Sequence, residues 1–367
     1  MDPRIREHAE IVVDHSLDIE AGDEVVVAAP AVADDLVVAF YELLADAGAY
    51  PVAATSPLEG RTSPRTARAF LRNRESFDTP GHHRALFEAA DAFLIVRAFE
   101  NAAEVGDVPP ETMTAASQAN RPIQEERLSK RWCLTQFPAD GKAQLAGMST
   151  EAYENFVWDA VVRDWDAQRE HQAGMVEILD AADEVRIVSG DETDVRMSLA
   201  GNVTLNDYGE KNLPGGEVFT APVPDSVEGA VLFDLPLYHN GREVEDAYLE
   251  FDGGEVVSHS ASKNEDVLTA ILDTDDGARR LGELGIGMNR GIDRFTYNML
   301  FDEKMGDTVH MAVGSAYAET VGEGNERNES AMHVDMIVDM ADESSIEVDG
   351  EVVQRNGTFR FEDGFEE

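Results

Sequence analysis

Nine histidines occur in the 367 residues, and two of them stand in strand-like runs with small or acidic neighbours. In DTVHMAVGSAY, alternation puts Thr308, His310, Ala312 and Gly314 on one face and Val309, Met311 and Val313 on the other. The small side chains beside His310 leave room for a bound group, and Tyr317 follows seven residues on. In MHVDMIV, His333 and Asp335 share a face roughly 7 Å apart at the Cα, so they can converge on one ion or two neighbouring ions. Met332, Val334 and Met336 turn to the buried side. Two further acids have settings unlike those of solvated ones: Glu217 follows two glycines at the head of an apolar strand in GGEVFTAP, and Glu283 is the only charge in GELGIGMN. A buried carboxylate is expensive unless it is paired or metal-bound. Imidazoles and carboxylates at these positions are therefore a candidate donor set for divalent cations. Lys304, in DEKMGD, is a candidate second electrophile beside that set, whereas its neighbours Asp302 and Glu303 read as solvated acids.

The elements that must position these residues differ between the two halves of the chain. Asp2 and Pro3 open a helix with Ile5, Ala9, Val12 and Ser16 at helical spacing, stopped by Gly22. The apolar run EVVVAAP then reads as a buried parallel strand. A helix carrying Leu36, Phe40, Leu43 and Leu44 follows, closed by Gly48, and YPVAAT, AFLIVRAF and WCLTQF supply further strands. Strands alternating with helices predict an α/β domain with a layered, mostly parallel sheet over residues 1–183. The loop APAVADD lacks the glycines of a dinucleotide site and carries two carboxylates that would repel a pyrophosphate, which argues against that reading. A long helix starts at Ser149 or Thr150 and runs past Trp165 towards Leu179. From residue 184 to 367, short alternating runs separated by Gly and Asp-Gly turns predict a mixed, mainly antiparallel β domain. One helix interrupts it from about Asn264 to Leu284, and a hairpin turning at Asp349-Gly350 closes it.

Composition bounds the partners. The 74 acidic against 29 basic residues give a formal charge of −45, a field that repels nucleic acid and anionic membrane surfaces. Only Lys130, Lys142, Lys211, Lys263 and Lys304 are lysines. An acidic, lysine-poor surface fits work in multimolar salt, where the Debye length shrinks to about 3 Å. The single cysteine, Cys133, excludes an internal disulfide and reads as a packing residue. With no long apolar run, the expectation is a cytoplasmic, halophilic protein.

GGEVFTAP, GELGIGMN, DEKMGDTVHMAVGSAY and HVD, in that order, closely resemble the aminopeptidase T family of metallo-aminopeptidases, and the resemblance spans nearly the whole chain. It implies metal ligands at Glu217, Glu283, His310, Tyr317, His333 and Asp335, all of the residue types the family uses. It also implies a homodimer acting on peptide substrates. The segment 318–330 departs from the family in being shorter, at the rim of the implied pocket.

Six ligands suit two divalent ions, Zn, Co, Mn or Mg, sharing a carboxylate. Two such ions roughly 3.5–4 Å apart hold and activate a water, and the resemblance implies that the resulting hydroxide cuts the N-terminal peptide bond. Candidate catalytic roles fall to Glu283 as bridge or general base, Tyr317 as ligand or oxyanion donor, and Lys304 as electrophile. The alternatives are another dimetal amidase or hydrolase, and an inactive metal-binding relative acting as a scaffold.

Overall fold

The computed structural model describes residues 2–366 except 57, 59–62 and 240. The chain forms two compact units, Met1–Arg163 with Gly209–Gly215, and Asp164–Tyr208 with Gly216–Glu367.

The first unit is built on a parallel sheet in the order Tyr50–Ala53, Glu24–Ala28, Ala92–Arg97, Arg131–Gln136 and Asn212–Leu213. Val25, Val26 and Val27 are all buried, as are Phe93 and Leu94 on the neighbouring strand, which is what a sheet covered on both faces requires. The helix Asp34–Ala47 buries Leu36, Phe40 and Leu44 and ends where Gly48 takes φ +80°, a left-handed cap that favours glycine. At the N-terminus the Asp2 carboxylate accepts from the Arg4 amide. The helix does not run regularly to Gly22: after Pro3–Glu10 it widens into a π-helical stretch, Ile11–Ser16, with Val12, Val13 and Leu17 all buried. Cys133 is fully buried, as a packing residue should be.

The long helix expected from Thr150 is two helices. Thr150–Val161, capped by Ser149, ends, and Trp165–Asp180 starts afresh with Asp164 accepting from the Ala167 amide at 2.9 Å. The break coincides with the change of unit.

The second unit contains an eight-stranded antiparallel sheet and a five-stranded antiparallel sheet. Val185, Ile187 and Val231 from the first, Leu284, Val309, Met311 and Val334 from the second, and Met175 and Leu179 of the helix Trp165–Asp180 share one apolar core. The closing hairpin pairs Ser344–Val348 with Glu351–Arg355, and Asp349 and Gly350 turn it with φ of 50° and 84°, the double positive φ that tight hairpins need. One expectation is corrected: the helix predicted from Asn264 to Leu284 stops at Leu272, and Leu281–Gly287 is a wholly buried strand. Three glycines in seven residues weaken a helix but allow other backbones to approach closely in a sheet. Among the described residues, no helix is long and apolar enough to cross a membrane.

Candidate metal centre

The five-stranded sheet, in the order His333–Asp339, Thr308–Gly314, Leu281–Gly287, Glu217–Thr220 and Leu205–Asp207, brings the predicted residues together. Register decides which side chains meet. Asp335 lies opposite Ala312, Ala312 opposite Glu283, His310 opposite Gly285, and Gly287 opposite Glu217. Residues directly opposite share a face, so one face carries His333, Asp335, His310, Glu283 and Glu217 with Gly314, Ala312, Gly285 and Gly287 between them. The reverse face sends Val334, Met336, Val309, Met311, Val313, Leu284 and Ile286 into the core.

Glu283 reaches this face through an irregularity. Leu281 and Glu283 are two apart and would share a face in a regular strand, yet Leu281 belongs to the core. The ladder shifts between them, from Leu281 opposite Val313 to Glu283 opposite Ala312. The bulge at Gly282 thus turns the carboxylate from the core side to the site side. Gly285 has a separate necessity, since a Cβ there would stand 2.0 Å from His310 Nε2.

The side chains form two overlapping donor groups. Glu217, Glu283 and His310 offer ligand atoms within 4.8 Å of one another, and so do Glu283, His333 and Asp335, with Glu283 common to both. His310 Nε2 is 3.2 Å from Glu217 Oε2 and 3.3 Å from Glu283 Oε1; His333 Nε2 is 3.7 Å from Glu283 Oε2 and 3.5 Å from Asp335 Oδ1. His333 Nδ1 is 2.8 Å from the Ser315 carbonyl, which can only accept, so Nδ1 carries the proton and Nε2 faces the acids. Tyr317 is half exposed, its ring 5.0 Å from that of His333 and 6.0 Å from that of Phe219. Desolvation, then the charges of Glu283 and Asp335, push its phenol well above the ordinary range, so it stays protonated. The short segment 318–330 is tied down: the Asn202 side-chain oxygen accepts from the Gly322 amide and Asn325, and Asn328 donates to the carbonyls of Gly277 and Gly314.

The charge balance tests whether cations fit. Burial alone would lower both histidines, but Glu283, Glu217 and Asp335 raise His310 to about 9, and Asp335 with Glu283 raises His333 to about 10. Burial raises Glu283, and although burial also opposes ionisation of Asp335, His333 holds that acid down at about 2. Protons on imidazoles are here making up a shortage of positive charge. Glu217 Oε2, Glu283 Oε2 and His310 Nδ1 are buried without a hydrogen bond among the described residues. Hard carboxylate oxygens, imidazole nitrogens and a deficit of positive charge suit divalent ions.

Three neighbours behave otherwise than their sequence context implies. Asp302 is buried, accepting from the Thr296 amide and hydroxyl at 2.8 and 2.7 Å and from the Asn298 amide at 2.7 Å, so it organises the loop ahead of it. Glu303 is largely buried against Lys304, and burial pushes it up to about 8. Lys304 has no exposure at all, and its ammonium meets Glu217, Glu303 and Asp207. Asp207 escaped sequence reasoning, because only the ladder that sets it opposite Glu217 marks it out.

The pattern of a family described as thermophilic metalloprotease (M29) matches residues 1–359. The chain belongs to the M29 family. Among curated M29 relatives, aminopeptidase T of Thermus aquaticus is 32% identical along 95% of this chain and 94% of its own length. The solved structure of wild-type AmpT from Thermus thermophilus superposes with a TM-score of 0.83 at 26% identity, covering 98% of this chain and 99% of that one. A 2,5-dihydroxypyridine dioxygenase from Pseudomonas putida KT2440 shares the fold at a TM-score of 0.62 and 15% identity. Its different reaction shows that the fold alone does not choose the chemistry. M29 membership implies divalent metal cofactors.

Proposed function

We propose that this metallo-aminopeptidase releases the N-terminal residue of unblocked peptides at a centre formed by Glu217, Glu283, His310, Tyr317, His333 and Asp335. The observation that carries the reading is the sharing of Glu283 between two donor groups; these groups would hold a pair of divalent ions, Zn, Co, Mn or Mg. Bound ions supply Lewis acidity, lowering the pKa of a water towards about 7 and polarising the scissile carbonyl.

The protein's own residues do the rest. With a cation in place of the Nε2 proton, the His333–Ser315 hydrogen bond would keep the ring oriented with its Nε2 lone pair towards the pocket. Asp335 stays ionised over the working pH range. Gly285, Gly287, Ala312 and Gly314 keep side-chain bulk off the face between the ligands, so a peptide group can approach. Tyr317, protonated and half exposed, can donate to the oxyanion that develops when the carbonyl is attacked. The charge of −45 supports a cytoplasmic working place in concentrated salt, and the reading includes a homodimer. Lowering KCl to about 0.1 M then restores long-range repulsion and loosens the chain; a melting transition indifferent to salt removes the halophile reading.

Release of p-nitroaniline from leucine p-nitroanilide at multimolar KCl tests the function. Activity is lost with EDTA and regained with Co²⁺ or Zn²⁺. Absence of cleavage of any free-amine substrate under every metal ends the aminopeptidase reading, and equal cleavage of N-acetylated peptides replaces it with an amidase or endopeptidase.

A further inference from the structure

Lys304 lies against Glu217 of one donor group yet belongs to neither group. An ammonium with no solvent exposure costs several kcal/mol in desolvation unless carboxylates surround it, and three do. Its Nζ is 2.9 Å from Glu217 Oε1 and 3.7 Å from Asp207 Oδ2, and it donates to Glu303 Oε1. The acids come from separate places: the strand Leu205–Asp207, the strand Glu217–Thr220, and the residue following the short helix Met299–Asp302. Asp207 sits directly across the ladder from Glu217.

The consequence falls on Glu217. Its Oε1 is committed to Lys304, while its Oε2 faces His310 Nε2 at 3.2 Å and accepts no hydrogen bond among the described residues. Oε2 is thus the Glu217 oxygen left without a hydrogen bond and open to a cation. The backbone is held as well. Gln172 Nε2 donates to the carbonyls of Glu217 and Asp207 at 2.9 and 3.0 Å, and Gln168 Nε2 donates to Gln172 Oε1 and to the Met288 carbonyl. Helix Trp165–Asp180 thereby grips three strand ends of the site sheet through two buried glutamines.

We infer that Lys304 is a positioning residue: it pins Glu217 so that Oε2 alone ligates the ion of the Glu217–Glu283–His310 group, with Asp207 and Glu303 as its counter-charges, and it does not touch substrate. The inference rests on the metal-site reading above and replaces the role of electrophile with an internal one.

Calorimetric titration of the metal-stripped full chain with CoCl₂ at multimolar KCl tests it, with thermal melts and steady-state kinetics on the same preparations. In Lys304→Met one binding step weakens on the order of 10–100-fold, the scale of losing a group that orients a ligand. The other step stays within about threefold, and kcat falls while KM stays within a similar factor. The double variant Lys304→Met/Asp207→Asn restores the buried charge count without restoring the pin, so it folds even where the single variant does not, and it shows the same selective loss. Wild-type affinity at both steps in either folded variant overturns the inference, as does unchanged metal affinity with a lowered kcat, which is what contact with the reacting groups would produce. A wild-type chain that binds no divalent ion removes the metal-site reading and this inference with it; a wild type that binds normally beside unaffected variants removes the inference alone.

Discussion

His8 in the first unit and His310 in the second are both wholly buried imidazoles, and the protein drives them to opposite protonation states. His8 Nε2 lies 2.7 Å from the Thr135 hydroxyl and the ring meets the edge of Trp158 at 5.5 Å; burial pushes it down to about 3. Burial presses on His310 in the same direction, but Glu283, Glu217 and Asp335 outweigh it and lift the ring to about 9. Burial sets a penalty on charge; the neighbours decide whether the charge is kept. One imidazole is a neutral packing piece in an α/β core. The other holds a proton where the donor set calls for a larger cation.

The strongest way to break this contrast is to remove a member of the donor set. His310→Ala and Glu283→Gln should each lower turnover by more than the roughly 10–100-fold that an outer-shell change costs, with far-UV circular dichroism unchanged. His8→Gln should leave kcat within about twofold and lower only the melting temperature, as expected away from the chemistry. Wild-type turnover in either site variant would take that residue out of the centre.

Gly285→Ala tests the contrast by geometry alone. Its Cβ would stand 2.0 Å from His310 Nε2, so the ring must move by about an ångström, and a displacement of that size costs on the order of 10²-fold in rate. Steady-state kinetics beside a melting curve separate this from general destabilisation.

The pH dependence of stability should split the two histidines. His8 has a folded pKa of about 3, below its ordinary value of about 6.5. Its share of stability is complete above pH 6.5 and drains away as pH falls towards 3. His310 is raised, so in the metal-stripped chain its share is complete below about 6.5 and is lost as pH rises through about 9. Urea midpoints across pH, with His8→Gln flattening the acid limb only, would show it. Histidine proton resonances that titrate together would refute it.

The smallest effect lies on the surface. Arg84 and Glu88 pair at 2.8 Å with side chains 59% and 49% exposed, and Arg84→Ala should change stability by only a few tenths of a kcal/mol, less still in concentrated salt. A larger loss on thermal melting would mean that exposed charges count here as heavily as those around His310.

How far the site was legible depended on whether its cause was local. Alternation placed His310 among small residues on a site face and Val309, Met311 and Val313 in the core, and the structure has them so, because the pleat of a strand is local geometry. The Ser149 cap and the Asp349-Gly350 turn followed equally from short-range chemistry. The apolar setting of Glu283 marked it as a costly carboxylate, but its true face did not follow from spacing, since the bulge at Gly282 reverses the parity with Leu281. The start of the same run reads as the end of a helix from sequence alone, and its pairing with two neighbouring strands makes it a strand. Asp302 and Glu303 read as solvated acids and Lys304 as an electrophile beside the site, and only packing revealed a loop anchor, a raised carboxyl and a buried ammonium held among acids.

By itself the amino-acid sequence determined the two kinds of layer, the residue types able to hold a cation, and the motifs that place the chain among metallo-aminopeptidases, because periodicity, turn chemistry and the cost of burying charge are written in neighbouring residues. Tertiary structure alone decided that Asp207 faces Glu217, that Glu283 is shared, and that Lys304 holds one oxygen of Glu217. Those are juxtapositions across a ladder, where one shift of register moves every side chain to the other face.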